Sequence, residues 1–541
     1  MGDVTPIDAL AEALAQSWTG KDLRWIQTHI SHVFLAEDRV FKLRKAVALP
    51  FLDFSTRAAR NADCLLEVAL NRRLAPDVYL GVAPVLSEGG AACVGGLRQD
   101  LADAEHEHVV VMRRLREGRD ALSLLERGQL GAAPLEAVAR RLAAFHRAQR
   151  LDPAALGTGQ GWLERAAAPL RANFESLRGH APGLEPEVAA AAAATEAGLR
   201  RLAAALERRR REGRFVDGHG DLHLQHVWFE SEGAEPLLVD CIEFSDELRR
   251  IDAASEVGFL AMDLRYRGRR DLAEHFLASY AAQADDFDLL AVVDFYAAYR
   301  AAVRAKVAAL AAADPALPSP QRHAACGSAA RHLSLAAQLL APPGPGALVL
   351  LCGTVGVGKS SAARAASLRG LGVPIGSDHT RKLGAGFALT DRADAGVDQG
   401  LYTELRRESV YAALLERAAP VVASGRLAIL DASFARRCQR DAARVWAEER
   451  GIEARLVEVR CPREVALERL RLRAARGRDP SDAGPDFLEV SLARFEPLEE
   501  WAPERRLAID TSESGWEPRL VEWLCAPSAA GSACHEEQAR P

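Results

Sequence analysis

The stretch GTVGVGKS at 353–360 constrains the chain more than any other. It fits G-x-x-x-x-G-K-[ST], follows the apolar run ALVLL and opens the helical pattern KSSAARAASL. Glycines there let consecutive backbone N–H groups turn inward on phosphate oxygens, at a helix N-terminus whose dipole favours the same charge. Such a loop needs a strand before it and a helix after it, so its surroundings are expected to be α/β. LAILD at 427–431 and RLVEVR at 455–460 read as further strands separated by helical stretches, which predicts a parallel sheet.

The residues around that loop sort by chemistry. Gly353, Gly356, Gly358, Lys359, Ser360 and Ser361 form the candidate nucleotide cradle. Lys359 would reach the β- and γ-phosphates, and the Ser360 hydroxyl would bind Mg2+. Asp431, at the end of an apolar strand, is placed to hold a metal-bound water. PIGSDHTRK at 374–382 predicts a short strand ending at Ser377 and Asp378. A carboxylate there can take a proton from an acceptor hydroxyl, and Arg381 can hold an anion. A helix cap at Asp378 is equally compatible. Arg469, Arg473 and Arg476 share one helical face, which suits either a lid over phosphate or a solvated surface.

Together these parts resemble the small-molecule P-loop kinases, the group that includes gluconate kinase, chloramphenicol phosphotransferase and zeta toxin. The resemblance covers roughly 347–512. It implies ATP-dependent phosphorylation of a hydroxyl on a small molecule, with Asp378 as the base.

Far upstream lies HGDLHLQHV, residues 219–227. Kinases of the eukaryotic type place a catalytic Asp five residues before a metal-binding Asn. Here Asp221 is followed at that spacing by His226. Asp240 closes the apolar LLVD, where a further metal-binding Asp belongs. Lys42 lies on the strand pattern VFKL and Glu67 on the next helix, positions that suit an ion pair aligning the α- and β-phosphates. The apolar strand 109–112 would lead to a hinge for adenine. His226 occupies a metal-ligand position, although imidazole is a poor substitute for an amide carbonyl on Mg2+. A zinc triad of His219, His223 and His226 finds no additional carboxylate pattern, and His219 is expected to brace the loop.

This half resembles the aminoglycoside phosphotransferase family. THISHVFL, FKLRK, FLDFST, NRRLAPDVYLGV, DCIEF and IDAASEVGFLAMDL extend the likeness to a bacterial two-domain group that fuses such a domain to a P-loop kinase-like one. The resemblance implies a bilobal α+β protein-kinase-like fold at the N-terminus and an α/β P-loop NTPase with a parallel sheet at the C-terminus. It also gives Asp252 and Glu256 a structural role. Two departures stand out. No glycine-rich loop precedes Lys42, so THISHVFLAEDRV must cover phosphates without one. His226 replaces the family's Asn, which implies weakened rather than abolished catalysis, since Asp221 and Asp240 are both present.

A chain of 541 residues exceeds one ordinary core. The pattern divides it into a kinase-like domain at 1–312, a linker at 313–346 bracketed by ADPALPSP and APPGPG, a P-loop domain at 347–525 and a disordered tail at 526–541. A net charge of −6 gives no general attraction for nucleic acid. Charged residues interrupt every apolar run before membrane-spanning length. MGDVTPIDALAEAL lacks the basic and apolar regions of a signal peptide, so a cytoplasmic location and reduced thiols for the nine cysteines are expected. A nucleotide-regulated switch that hydrolyses ATP without phosphorylating a small molecule is the second reading. The oligomeric state is not legible.

Overall fold

The computed structural model describes residues 7–18, 23–49, 52–88, 90–101, 105–157, 159–384, 404–476 and 484–526. Two compact units emerge, one formed by residues 1–158 with 210–260 and the other by 159–209 with 261–541.

In the first unit a six-stranded antiparallel sheet runs in the order Arg24–Gln27, Ser31–Leu35, Arg39–Arg44, Glu107–Arg113, Tyr79–Glu88, Ala91–Val94. Alternation along each strand divides its side chains between two cores. Leu43, Val109 and Val111 pack on one face with the helix Ile7–Ser17. Val110 and Val82 pack on the other with Cys64 and Val68 of the helix Arg57–Asn71. Lys42 pairs in register with Val110, so its side chain emerges on the face covered by the helix that carries Glu67. Thr56 starts that helix by accepting the Ala59 N–H at 3.2 Å.

The HGD loop follows the strand Phe215–Asp217, which pairs with Arg250–Asp252. It ends in the 3-10 turn Leu224–His226. A short hairpin, Val227–Trp228 against Leu237–Leu238, then brings the chain back beside the loop at Asp240. The LLVD segment is therefore strand only at its first two residues.

The second unit holds a parallel five-stranded sheet in the order Val373–Gly376, Leu427–Asp431, Ala347–Cys352, Glu453–Arg460, Arg506–Asp510. Ala347–Cys352 is central and buried at every position, as a strand covered on both faces must be. Asp431 is in register with both Leu351 and Gly376. The residues that follow Cys352 and Gly376 thus meet Asp431 at the carboxyl edge of the sheet, where open α/β sheets bind ligands.

The same unit contains an alanine-rich helical layer, with Phe174, Leu177, Ala302, Ala305, Ala329 and Leu333 in one core. Within 313–346 the helix Ser319–Leu340 occupies most of the length, and 341–346 is the extended passage into the sheet. Residues 527–541, nearly all of the expected tail, lie outside the described residues. No helix among the described residues is long and apolar enough to cross a membrane.

Candidate functional site

The glycine loop leaves the central strand at Cys352 and enters the helix Lys359–Leu368. Gly356 and Gly358 hold φ of 80° and 97°, a left-handed backbone that a side chain would strain. Lys359 Nζ donates to the carbonyls of Gly353 and Thr354 at 3.0 and 2.7 Å, so the ammonium lies inside the loop. Burial pushes its pKa below the ordinary lysine value, while Asp431 and Asp378 oppose that shift. Ser360 Oγ donates to Asp431 Oδ2 at 2.6 Å. Two hard oxygen donors from the helix start and the neighbouring strand therefore converge beside Lys359, a donor set that fits Mg2+. Ser361 follows on the same helix and is exposed.

Ser377 and Asp378 open the helix Ser377–Gly384 rather than ending the strand, and Asp378 pairs with Arg381. Of the three aligned arginines, Arg469 braces the back of the loop, donating to Thr511 Oγ1 at 2.7 Å and to the Thr511 carbonyl at 2.9 Å. Thr511 in turn donates to the Val357 carbonyl at 2.6 Å. Arg473 is near enough to Lys359 to disfavour its charge. The Arg476 side chain lies outside the described residues.

The second constellation lies in the first unit. Lys42 Nζ donates to Glu67 Oε1 and to Asp240 Oδ1, both at 2.8 Å. Burial works against this ammonium, yet Asp240 and Glu67 hold its pKa well above the usual lysine range. Lys42 in return holds Asp240 well below the usual carboxylate range. Arg44 anchors the other side of Glu67, donating at 2.5 Å to Glu67 Oε2 and at 2.6 Å to Asp63 Oδ2. The expected pair is thus assembled, with a second cation fixing its carboxylate.

Asp221 lies on the loop with Oδ2 3.6 Å from His223 Nε2. Partial burial raises its pKa, but the His223 hydrogen bond and the neighbouring imidazoles outweigh this and keep it well below the usual range. His226 Nδ1 donates to the Asp221 carbonyl at 2.8 Å. Its Nε2 faces Asp240 Oδ2 at 3.5 Å. Burial and the adjacent His223 bring His226 down to about 4, which leaves the ring neutral at pH 7. His219 donates from Nε2 to the Val239 carbonyl at 2.8 Å, the bracing position anticipated for it. The structure also supplies what the sequence withheld, a carboxylate beside the imidazoles: Asp221, His223 and His226 each bring a donor atom within 4.8 Å of the others. Gln225 is exposed.

Residues 77–296 match the sequence model of the phosphotransferase enzyme family, and residues 348–498 match that of an AAA domain. An uncharacterized protein of Mycobacterium tuberculosis is 35% identical over 485 residues, covering 86% of this chain and 89% of its own length. The chain belongs to this two-domain family. An uncharacterized protein of Mycobacterium bovis matches to the same extent, 35% over 485 residues, again 86% and 89% of the two lengths. Among solved structures, a gluconokinase from Sinorhizobium meliloti is 22% identical, covering 37% of this chain and 99% of its own, with a TM-score of 0.25. A choline/ethanolamine kinase family protein from Mesorhizobium loti is 15% identical, covering 61% and 99%, with a TM-score of 0.30. This family member thus joins a kinase-like phosphotransferase fold to a P-loop kinase-like fold with a parallel sheet.

Tyr79, Asn71 and His146 are supporting residues that escape a reading of the sequence alone, whereas Glu256 is legible there only through the resemblance. Tyr79 accepts the Asp240 N–H at 3.0 Å, and Asn71 accepts the Cys241 N–H at 2.8 Å. Glu256 lies beneath the HGD loop, accepting the N–H groups of His219 at 2.7 Å and Gly220 at 3.1 Å. Its other oxygen accepts His146 Nε2 at 3.0 Å. Lone polar residues in apolar runs, such as Glu256 in ASEVGFLAM, are the available signal, since a buried charge needs partners.

Proposed function

We propose that the chain transfers the terminal phosphoryl group of ATP to a hydroxyl of a small molecule, with the P-loop centre as the principal active site. The observation that carries this reading is the 2.6 Å contact of Ser360 Oγ with Asp431 Oδ2 beside a lysine held inside the glycine loop. The backbone from Gly353 to Ser361 cradles the phosphates, and Lys359 moves from the loop carbonyls onto the β- and γ-phosphate oxygens. Ser360 and Asp431 would hold Mg2+, which supplies charge neutralisation to the phosphates when bound. Asp378 takes the proton of the acceptor hydroxyl, with Arg381 positioning its carboxylate. Arg473, close enough to Lys359 to act on its charge, would face the phosphate that is transferred.

In the first unit, Lys42 and Glu67 would align a nucleotide's phosphates and Asp221 would orient an acceptor hydroxyl. Asp240 and His226 are the metal-ligand candidates there, but their mixed oxygen and nitrogen donors do not suit Mg2+. The turn joining Arg24–Gln27 to Ser31–Leu35 is closed by the Ser31 N–H donating to Thr28 Oγ1 at 3.0 Å, with no glycine-rich loop to fold over a nucleotide. Both features support a weaker centre.

Screening a metabolite library for ATP-dependent phosphorylation, with wild type beside Asp378→Ala and Asp221→Ala, tests the assignment. Asp378→Ala should lower transfer by about 10²–10⁴-fold, the usual range for a lost general base, and Asp221→Ala should leave most of it. Full transfer by Asp378→Ala would remove that residue from the mechanism.

A further inference from the structure

We propose that the histidine-bearing loop of the first unit is a site for a nitrogen-preferring divalent cation of the Zn2+ or Co2+ class, not for Mg2+. The ligands assigned are Asp221, His223 and His226, whose donor atoms all lie within 4.8 Å of one another, with Asp240 Oδ2 beside them on the His226 side, 3.5 Å from its Nε2. Its functional meaning rests on reading the loop as a kinase-type centre, but its chemistry does not.

The argument begins with the tautomer of His226. A carbonyl oxygen only accepts, so the 2.8 Å contact with the Asp221 carbonyl requires the proton on Nδ1. The ring is then oriented as metal-binding histidines are, with one N–H tied to a backbone carbonyl and the other nitrogen aimed outward. That nitrogen, Nε2, faces Asp240 Oδ2 at 3.5 Å. The separation exceeds the roughly 2.7–3.2 Å of an N–H···O hydrogen bond, so a proton bridges these atoms poorly. It matches two donors sharing one ion. Ligands about 2.0–2.1 Å from a tetrahedral Zn2+ stand about 3.3–3.4 Å apart. Neighbouring ligands on an octahedral Mg2+ stand about 2.9 Å apart.

The same spacing recurs in the other pair, where His223 Nε2 lies 3.6 Å from Asp221 Oδ2. The two imidazoles are close neighbours, with ring centroids 3.9 Å apart, and His223 is buried. Asp240 keeps one oxygen for Lys42 and presents the other to His226. A mixed set of imidazole nitrogens and carboxylate oxygens suits Zn2+ and Co2+, whereas Mg2+ takes oxygen in octahedral geometry.

The test is titration of the metal-stripped full chain with Co2+ alone, followed by visible absorption, which separates tetrahedral from octahedral coordination. One equivalent should give the strong visible bands of a tetrahedral site, and Zn2+ should displace it while Mg2+ does not. His226→Asn keeps an N–H for the Asp221 carbonyl and should weaken Co2+ binding by at least about 10–100-fold, the range already known for lost supporting partners of metal ligands. His223→Gln should do the same, with circular dichroism checking that both variants are folded. The proposal is overturned if wild type gives no such bands, if Mg2+ competes equally, or if neither variant changes them. Because no nucleotide is present, its failure is distinct from failure of the kinase reading, which nucleotide binding by the Lys42→Ala variant addresses.

Discussion

Asp240 and Phe434 both adopt a left-handed backbone, with φ of 64° and 44°, although neither is glycine. Such a conformation costs roughly 1–2 kcal/mol and persists only where its surroundings hold it. In each case a tyrosine hydroxyl does so. Tyr79 accepts the Asp240 N–H at 3.0 Å, and Tyr411 accepts the Phe434 N–H at 3.2 Å. The strain at Asp240 aims its carboxylate between Lys42 and His226, and the turn at Phe434 follows the strand that delivers Asp431 to Ser360. Tyr79→Phe removes the acceptor from a part-buried N–H, so it should destabilise the first unit by about 1 kcal/mol. A urea midpoint shifted down at constant slope would agree; an unchanged midpoint would mean that the hydroxyl does not support Asp240.

At the scale of elements, the HGD loop depends on the helix Ala253–Tyr266, which supplies Glu256. Burial alone would raise this carboxyl, but the His146 hydrogen bond, the nearby imidazoles and the Gly220 amide bring it down to about 2. A carboxyl depressed on folding stabilises above its unfolded pKa and loses that contribution as pH falls through the folded value. Against an unfolded glutamate near 4.3, the gap amounts to on the order of 3 kcal/mol, present above about pH 4.5 and lost by about pH 2. The stability difference between wild type and Glu256→Gln should therefore shrink across that window; a difference independent of pH would show Glu256 to be uncharged. This support was legible in the sequence only as a resemblance, because its partners His146 and His219 are 110 and 37 residues away along the chain, respectively. The glycine loop shows the converse. Its signals are local, and KSSAARAASL is the helix Lys359–Leu368 residue for residue. Prolines explain the contrast at 313–346: Pro318 and Pro320, which suggest a linker, flank the first residue of the helix Ser319–Leu340, where their fixed φ is tolerated. Asp378, likewise, lies in the first turn of the helix Ser377–Gly384, because the strand Val373–Gly376 ends two residues before Asp378, where its pattern predicts the end.

At the scale of the molecule, the second unit joins the helices after residue 261 to the P-loop sheet through a buried charge cluster. Arg265 bridges Glu274 and Asp294 at 2.5 and 2.7 Å, and Arg426 bridges the same two carboxylates at 2.7 and 3.0 Å. Removing one member leaves buried charge unpaired, so Arg426→Met should destabilise this unit by about 3–5 kcal/mol. The helices and the sheet should unfold together in calorimetry; a P-loop transition at an unshifted temperature in the variant would show that they are independent. The functional account itself turns on the fate of one phosphate. With γ-labelled ATP and the metabolite pool, wild type should place label in an organic phosphomonoester, and Lys359→Ala should place essentially none there. Label released by wild type only as inorganic phosphate, or transfer undiminished in Lys359→Ala, would contradict the central claim.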